Sequence, residues 1–133
     1  MKKTVFLFSG QGSQHFQMAR ALFEHEPVFR RWMLRLDGVV RDLADESVVE
    51  ALYDDANDRS AAFDRLALTH PAIFMVEYAL ARALIDAGVE PDMTLGTSLG
   101  SFAAAAVAGF VDPEHALAAV VQQAAALETC CGP

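Results

Sequence analysis

Cysteine is scarce in this chain: there are two in 133 residues, Cys130 and Cys131, adjacent and close to the end of the sequence. Neighbours of that kind supply neither a disulfide framework nor the ligand spacing of a metal site, and they fit a reducing compartment. Positive charge is short as well. Ten Lys and Arg stand against 18 Asp and Glu, a net charge of -8, and no Lys or Arg follows Arg82. Sequence-independent binding to nucleic acid or to an anionic membrane needs a basic surface, which leaves small molecules and protein partners as the expected ligands. No secretory leader is expected at the start. Met1-Lys2-Lys3 precedes only five apolar or small residues before Ser9-Gly10-Gln11-Gly12, too few for a signal-peptide core, so the expected location is the cytoplasm. One uncharged run, Met93 to Val111, reaches the length of a membrane span, but Thr94, Gly96, Thr97, Ser98, Gly100 and Ser101 give its first half the wrong composition.

What is present is apolar. AVILMFWYC residues make up 53% of the chain and 24 residues are alanine, a composition that favours helices packed on something flat around one core. Thr4-Val5-Phe6-Leu7-Phe8 reads as a buried strand of the parallel type, ended by the glycine turn Ser9-Gly10-Gln11-Gly12-Ser13. Met18, Leu22 and Phe23 give helical spacing from about Gln14 to Phe23. Pro27 then opens a second helix carrying Phe29, Trp32, Met33, Leu36 and Val40. The arginines of that helix, Arg30, Arg31, Arg35 and Arg41, form either a solvated face or a docking surface for an acidic partner. Asp45 to Asp64 is a polar connection with a short helical pattern at Val48, Val49 and Leu52.

Thr69-His70-Pro71 reads as the start of a long helix, with Thr69 as its cap and a buried stripe at Ile73, Val76, Leu80, Ala83, Leu84 and Ala87 before Gly88. Phe74, Met75 and Tyr78 lie off that stripe, so this helix is apolar nearly all round and deeply packed. After Pro91-Asp92, the run Met93-Thr94-Leu95 is a second short strand, then come a tight turn, an alanine-rich helix from Ser101 to Ala108, and a last helix from Pro113 to about Cys131. The pattern of elements is α/β with a parallel sheet.

The turn between the second strand and the alanine-rich helix is Gly96-Thr97-Ser98-Leu99-Gly100. Glycines flanking a serine between strand and helix permit a strained turn that lifts the hydroxyl clear of the backbone, and the following helix aims its free N–H groups at an oxyanion formed there. The residues alone leave open an ordinary strand-to-helix turn rich in small side chains. In a parallel sheet the Ser9 to Ser13 turn would emerge at the same edge, so a second N–H could come from it. Neither turn has the pattern of a dinucleotide loop or a P-loop, because no lysine follows either, and no cofactor is expected.

Three ordered motifs, Val5-Phe6-Leu7-Phe8-Ser9-Gly10-Gln11-Gly12-Ser13-Gln14, Thr69-His70-Pro71-Ala72-Ile73-Phe74 and Gly96-Thr97-Ser98-Leu99-Gly100 with Ala108-Gly109, resemble the malonyl-CoA:acyl-carrier-protein transacylases and polyketide-synthase acyltransferase domains across essentially the whole chain. The resemblance implies that Ser98 accepts the acyl group and that the backbone amides of Gln11 and Leu99 form the oxyanion hole. It implies an α/β-hydrolase-like large subdomain, of which residues 1–133 are the N-terminal part, with a ferredoxin-like small subdomain beyond. The implied substrates are thioesters on coenzyme A or on the phosphopantetheinyl arm of an acyl carrier protein.

The chain departs from that family's usual pattern at five points. Ser9, His70 and Thr97 stand where the family usually has Pro, Gln and His, and the latter two alter polar groups beside the nucleophile. At Gln123, 25 residues after Ser98, the family's arginine that grips a malonyl carboxylate is missing. A neutral amide cannot replace a charge-assisted fork, whose hydrogen bonds contribute about 1.5–3 kcal/mol, so the expected acyl group is uncharged and its release hydrolytic, as in an editing acyl hydrolase of polyketide synthesis. Finally, the family's catalytic histidine falls outside these residues. His15, His25 and His115 look like surface groups, and His70 either contacts the acyl group or supports the site. Loss of a base costs about 10²–10⁴-fold in rate, so this stretch alone is expected to be nearly inert, and to expose core surface. The two alternatives are a malonyl or acetyl transacylase and a non-catalytic docking module.

Overall fold

The computed structural model describes residues 3–10 and 12–131. The elements run β1 (Val5–Phe8), α1 (Arg20–His25), α2 (Pro27–Ala44), α3 (Val48–Tyr53), α4 (Leu66–Asp86), β2 (Met93–Gly96), α5 (Gly100–Val107) and α6 (Pro113–Cys131). The two strands pair in parallel with Val5 opposite Met93, Leu7 opposite Leu95 and Phe8 opposite Gly96, the α/β arrangement expected from the sequence. This register gives the sheet two faces. Phe6 and Phe8 turn inward, while Val5, Leu7, Met93 and Leu95 form an apolar outer face; Leu7 is 75% exposed. Both strands are therefore where the sequence puts them, but β1 is not the buried strand expected, because among the described residues only one face of the pair is covered.

The core lies among the helices. Phe29, Met33, Leu36 and Val40 of α2, Ile73, Phe74 and Met75 of α4, and Leu117 and Val120 of α6 are fully or almost fully buried, and Val48 and Leu52 of α3 close one end. The period of α2 explains its orientation: its buried residues recur every three or four positions, and Pro27 starts it behind the Glu26 carboxylate, which accepts from the Val28 N–H. Asp37 is the polar exception within that buried stripe. Its carboxylate accepts from Val48 N–H (2.7 Å), Val49 N–H (3.1 Å) and the Ser47 hydroxyl (2.7 Å), so a buried charge on α2 anchors the start of α3. Three of the α2 arginines are used internally. Arg30 binds the Phe23 and Glu24 carbonyls at the end of α1, Arg35 pairs with Glu114 while lying over Trp32, and Arg41 bridges Asp37 and Glu50.

Three expectations need correction. The helix placed from Gln14 to Phe23 begins only at Arg20, because Gln17 and Ala19 take left-handed φ values of 66° and 57°. A tertiary contact outweighs the local pattern there: Gln17 donates from its backbone to Leu52 O and from its amide to Asp54 O and Asn57 O. The long helix starts at Leu66 rather than at a Thr69 cap. Its early N–H at Ala67 is satisfied by Glu128 of α6, 61 residues away, leaving Thr69 inside the helix, fully buried, and Pro71 in its second turn. The buried stripe is also drawn differently: Ile73 is buried as expected, but so are Phe74, Met75, Tyr78, Ala79 and Ala81, while Leu80 and Leu84 are more than a third exposed and Ala87 is exposed. A helix apolar on every side carries no directional signal in its period. This same α4, not the Met93 to Val111 run, has the length and apolarity of a membrane span, and more than half of it is buried within the chain.

Candidate active site

Ser98 lies two residues past the end of β2 and takes φ 52°, in the left-handed region where a side chain costs about 1–2 kcal/mol. The surrounding glycines explain why the chain accepts this. A Cβ on Gly96 would collide with the Gly100 backbone, and one on Gly100 with the Phe8 carbonyl of β1. Strand, turn and helix are thus packed backbone against backbone, and only glycine fits at both flanking positions. The turn is closed by Gly100 N–H to Thr97 O (2.9 Å), and Ser101 grips the Ser98 carbonyl twice, with its N–H at 3.1 Å and its hydroxyl at 2.7 Å. The serine side chain stays exposed at the mouth of α5.

The first glycine turn does reach this elbow. A Cβ built on Gly10 would lie 3.2 Å from Thr97 O, 3.6 Å from the Ser98 Cβ and 3.6 Å from the Leu99 backbone N, so the two turns touch at the carboxyl edge of the sheet. Ser13 donates to Gly10 O at 3.1 Å, Gly12 N–H to the Gln14 side chain at 2.8 Å, and Gln14 in turn to Phe63 O at 3.2 Å, tying the turn to the segment before α4. Leu99 places its side chain in the core and its N–H at the start of α5, beside Ser98. Gln11, the other expected oxyanion donor, lies outside the described residues.

The remaining expected site residues are spread more widely. Thr97 is exposed in the elbow itself. His70 is half-buried in the second turn of α4. Its Nδ1 is buried with no partner among the described residues; burial pulls its pKa below the ordinary value, opposed by the negative charge of Glu128. Gln123 is exposed on α6, five residues before Glu128 and so about 7.5 Å along the helix from the contact with Ala67. His25 and His115 are exposed, as expected, and His15 is partly buried with its Nδ1 at Phe16 O. No group of three or more His, Cys, Asp or Glu that could hold a metal occurs among the described residues.

One residue near the site was not singled out in the sequence. Glu77 of α4 accepts from the Ser9 hydroxyl at 3.3 Å, while its second oxygen is buried without a partner among the described residues. Burial pushes its pKa up to about 7, against the pull of Ser9. The available signal was a single carboxylate within an apolar run from Pro71 to Ala81.

With this geometry in hand, the comparisons with known proteins point in one direction. The chain is 50% identical over 127 residues to the polyketide biosynthesis acyltransferase homolog BaeD of Bacillus velezensis, covering 95% of this chain and 39% of that protein. It is 45% identical over 127 residues to the homolog PksD of Bacillus subtilis, covering 96% and 39%. The chain therefore spans about two fifths of the length of these relatives. Among solved structures, the acyl transferase domain of ZmaA superposes with a TM-score of 0.88 at 32% identity, over 96% of this chain and 30% of that one. An acyl-carrier-protein S-malonyltransferase from Burkholderia pseudomallei superposes with a TM-score of 0.78 at 29% identity, over 96% and 39%. The model of the acyl transferase domain family matches residues 5–132, and the chain belongs to that family.

Proposed function

We propose that the protein carrying this chain is a serine-dependent acyl-thioester enzyme of polyketide biosynthesis in which Ser98 carries the acyl group. The observation that supports this most directly is the left-handed Ser98 held between Gly96 and Gly100, neither of which has room for a side chain. Ser98 Oγ attacks the thioester carbonyl, its proton passing to a base outside this chain. The tetrahedral oxyanion is stabilised by the Leu99 and Gln11 N–H groups, and collapse expels the thiol and leaves an acyl-serine ester. Water then attacks the ester, releasing the carboxylic acid and restoring Ser98.

An uncharged acyl group is supported by the absence of Lys and Arg after Arg82 and by the neutral Gln123, since a malonyl carboxylate would find no fixed cation on α5 or α6. The acyl carrier is a phosphopantetheinyl acyl carrier protein, with coenzyme A as the smaller alternative. Transfer to a second thiol is the competing reading, favoured by the malonyltransferase among the solved neighbours.

Acetyl, butyryl and malonyl thioesters of an acyl carrier protein, offered to the purified full-length protein, separate these readings. The expected result is an acetyl or butyryl adduct on Ser98 by intact mass, lost in Ser98→Ala, with free acid accumulating. Efficient malonyl transfer would overturn the hydrolytic reading, and wild-type protein that never gains acyl mass would overturn the enzymatic one in favour of a docking module.

A further inference from the structure

Glu77 and Ser9 make a polar tie between the helical layer and the tip of β1 that the acyl-serine chemistry does not use. Ser9 is the residue immediately before Gly10, and Gly10 rests against Thr97 O and Ser98. The Ser9 hydroxyl donates to the Glu77 carboxylate at 3.3 Å. The groove in which Glu77 sits is otherwise walled by Val5, Leu7, Leu80, Ala81 and Leu84 with Phe6 and Phe8, none of them charged. A carboxylate placed in such surroundings is held there against its desolvation only by the hydrogen bonds it accepts.

We propose that Glu77 is a positioning residue that, through Ser9, holds the first glycine turn against the Ser98 elbow and so sets the geometry of the oxyanion-binding side of the site. The inference rests on the acyl-serine reading for its catalytic consequence, but the tie itself is a property of the fold. The hydrogen bond from the Ser9 hydroxyl to this carboxylate ties the chain leaving β1 to α4 one residue before Gly10 meets the elbow. The ionised carboxylate is the stronger acceptor. Protonation of Glu77 removes its charge and weakens the contact, so the turn loosens as the group titrates.

Proline lacks the hydroxyl that Ser9 supplies to Glu77, while fixing φ by itself, which makes Ser9→Pro the informative partner for Glu77→Gln. Two measurements on the full-length protein test the idea. Amide hydrogen exchange is read first, on the peptides covering residues 5–10 and 97–101, with the far-ultraviolet dichroism confirming that each variant is folded. Glu77→Gln is expected to speed exchange in both peptides by about tenfold or more at pH 8, and to leave them almost independent of pH between 6 and 8 after correction for intrinsic exchange.

The second readout is the rate of Ser98 acylation by a short-chain thioester in a single turnover. Glu77→Gln is expected to slow acylation about tenfold in the Ser9 background and less than twofold in the Ser9→Pro background, because proline has already removed what Glu77 acts through. An equal effect in both backgrounds, or exchange unchanged by Glu77→Gln, overturns the proposal. Wild-type protein with no acyl adduct overturns the functional reading alone, because the exchange result still decides whether Glu77 holds the turn.

Discussion

The strain at Ser98 can be isolated by comparing Ser98→Gly with Ser98→Ala. Both variants remove the same hydroxyl, and the side chain is exposed, so neither leaves a cavity. They differ in whether a Cβ must be carried at φ 52°. That conformation costs an L-residue about 1–2 kcal/mol, whereas glycine adopts it nearly freely. Against this, glycine gives the unfolded chain more freedom, which costs about 0.4–1 kcal/mol of stability. The remainder favours Ser98→Gly over Ser98→Ala by about 0.5–1 kcal/mol. In urea unfolding followed by circular dichroism this appears as a higher midpoint, by about 0.3 M for a slope near 2 kcal/mol per molar, with the slope unchanged. Both variants lose acyl acceptance completely. If Ser98→Gly were no more stable than Ser98→Ala, the elbow would hold no strain and the argument linking its conformation to its chemistry would fail.

Gly100→Ala places a methyl on the Phe8 carbonyl, a backbone atom that cannot swing aside, so it is expected to destabilise by about 3 kcal/mol or more, whereas Gly88→Ala meets open space and pays only for its φ of 97°, about 1 kcal/mol. Denaturant titration of the pair shows the difference, and equal losses would deny the close strand–helix contact. Asp37→Ala removes the acceptor for two backbone N–H groups and the Ser47 hydroxyl at a buried position, and a loss of about 3 kcal/mol is expected; one below 1 kcal/mol would mean that α3 is capped in some other way. His70 has a folded pKa below 6.5, so as pH falls through that value the unfolded chain takes up the proton first and stability drops. His70→Gln is expected to flatten this acid slope in thermal melts between pH 7 and 5, and an unchanged slope would place the titrating group elsewhere.

How much of this could be read from the residues depended on how local each cause was. Both strands, the Ser98 elbow, Pro27 at the head of α2 and Gly88 after α4 follow from neighbours within a few positions, and the structure keeps them. The early end of the expected first helix does not, since Gln17 turns left-handed to reach Leu52, Asp54 and Asn57, 35 to 40 residues on. The cap of α4 comes from Glu128, whose role no window around Thr69 contains. Orientation failed for a different reason. A helix built from Ala, Leu, Ile, Phe and Met on all sides has several equally apolar stripes, and the choice among them is made by what packs there, not by its own period.

The same reasoning explains why Glu77 escaped notice while Gln123 did not. A lone acid in a helix reads as a point of solvent contact, and only the β1 tip, 68 positions earlier, turns it into a buried acceptor. Gln123 drew attention through an expected arginine, yet here it faces outward on α6. The outer sheet face gives that exposure a context. Val5, Leu7, Met93 and Leu95 present one continuous apolar surface, larger than single exposed side chains require, and the relatives extend well beyond the length of this chain. Residues 1–133 expressed alone are therefore expected to self-associate, and Leu7→Lys with Leu95→Lys to reduce that association in sedimentation. A soluble wild-type monomer at high concentration would refute the link between the exposed face and self-association.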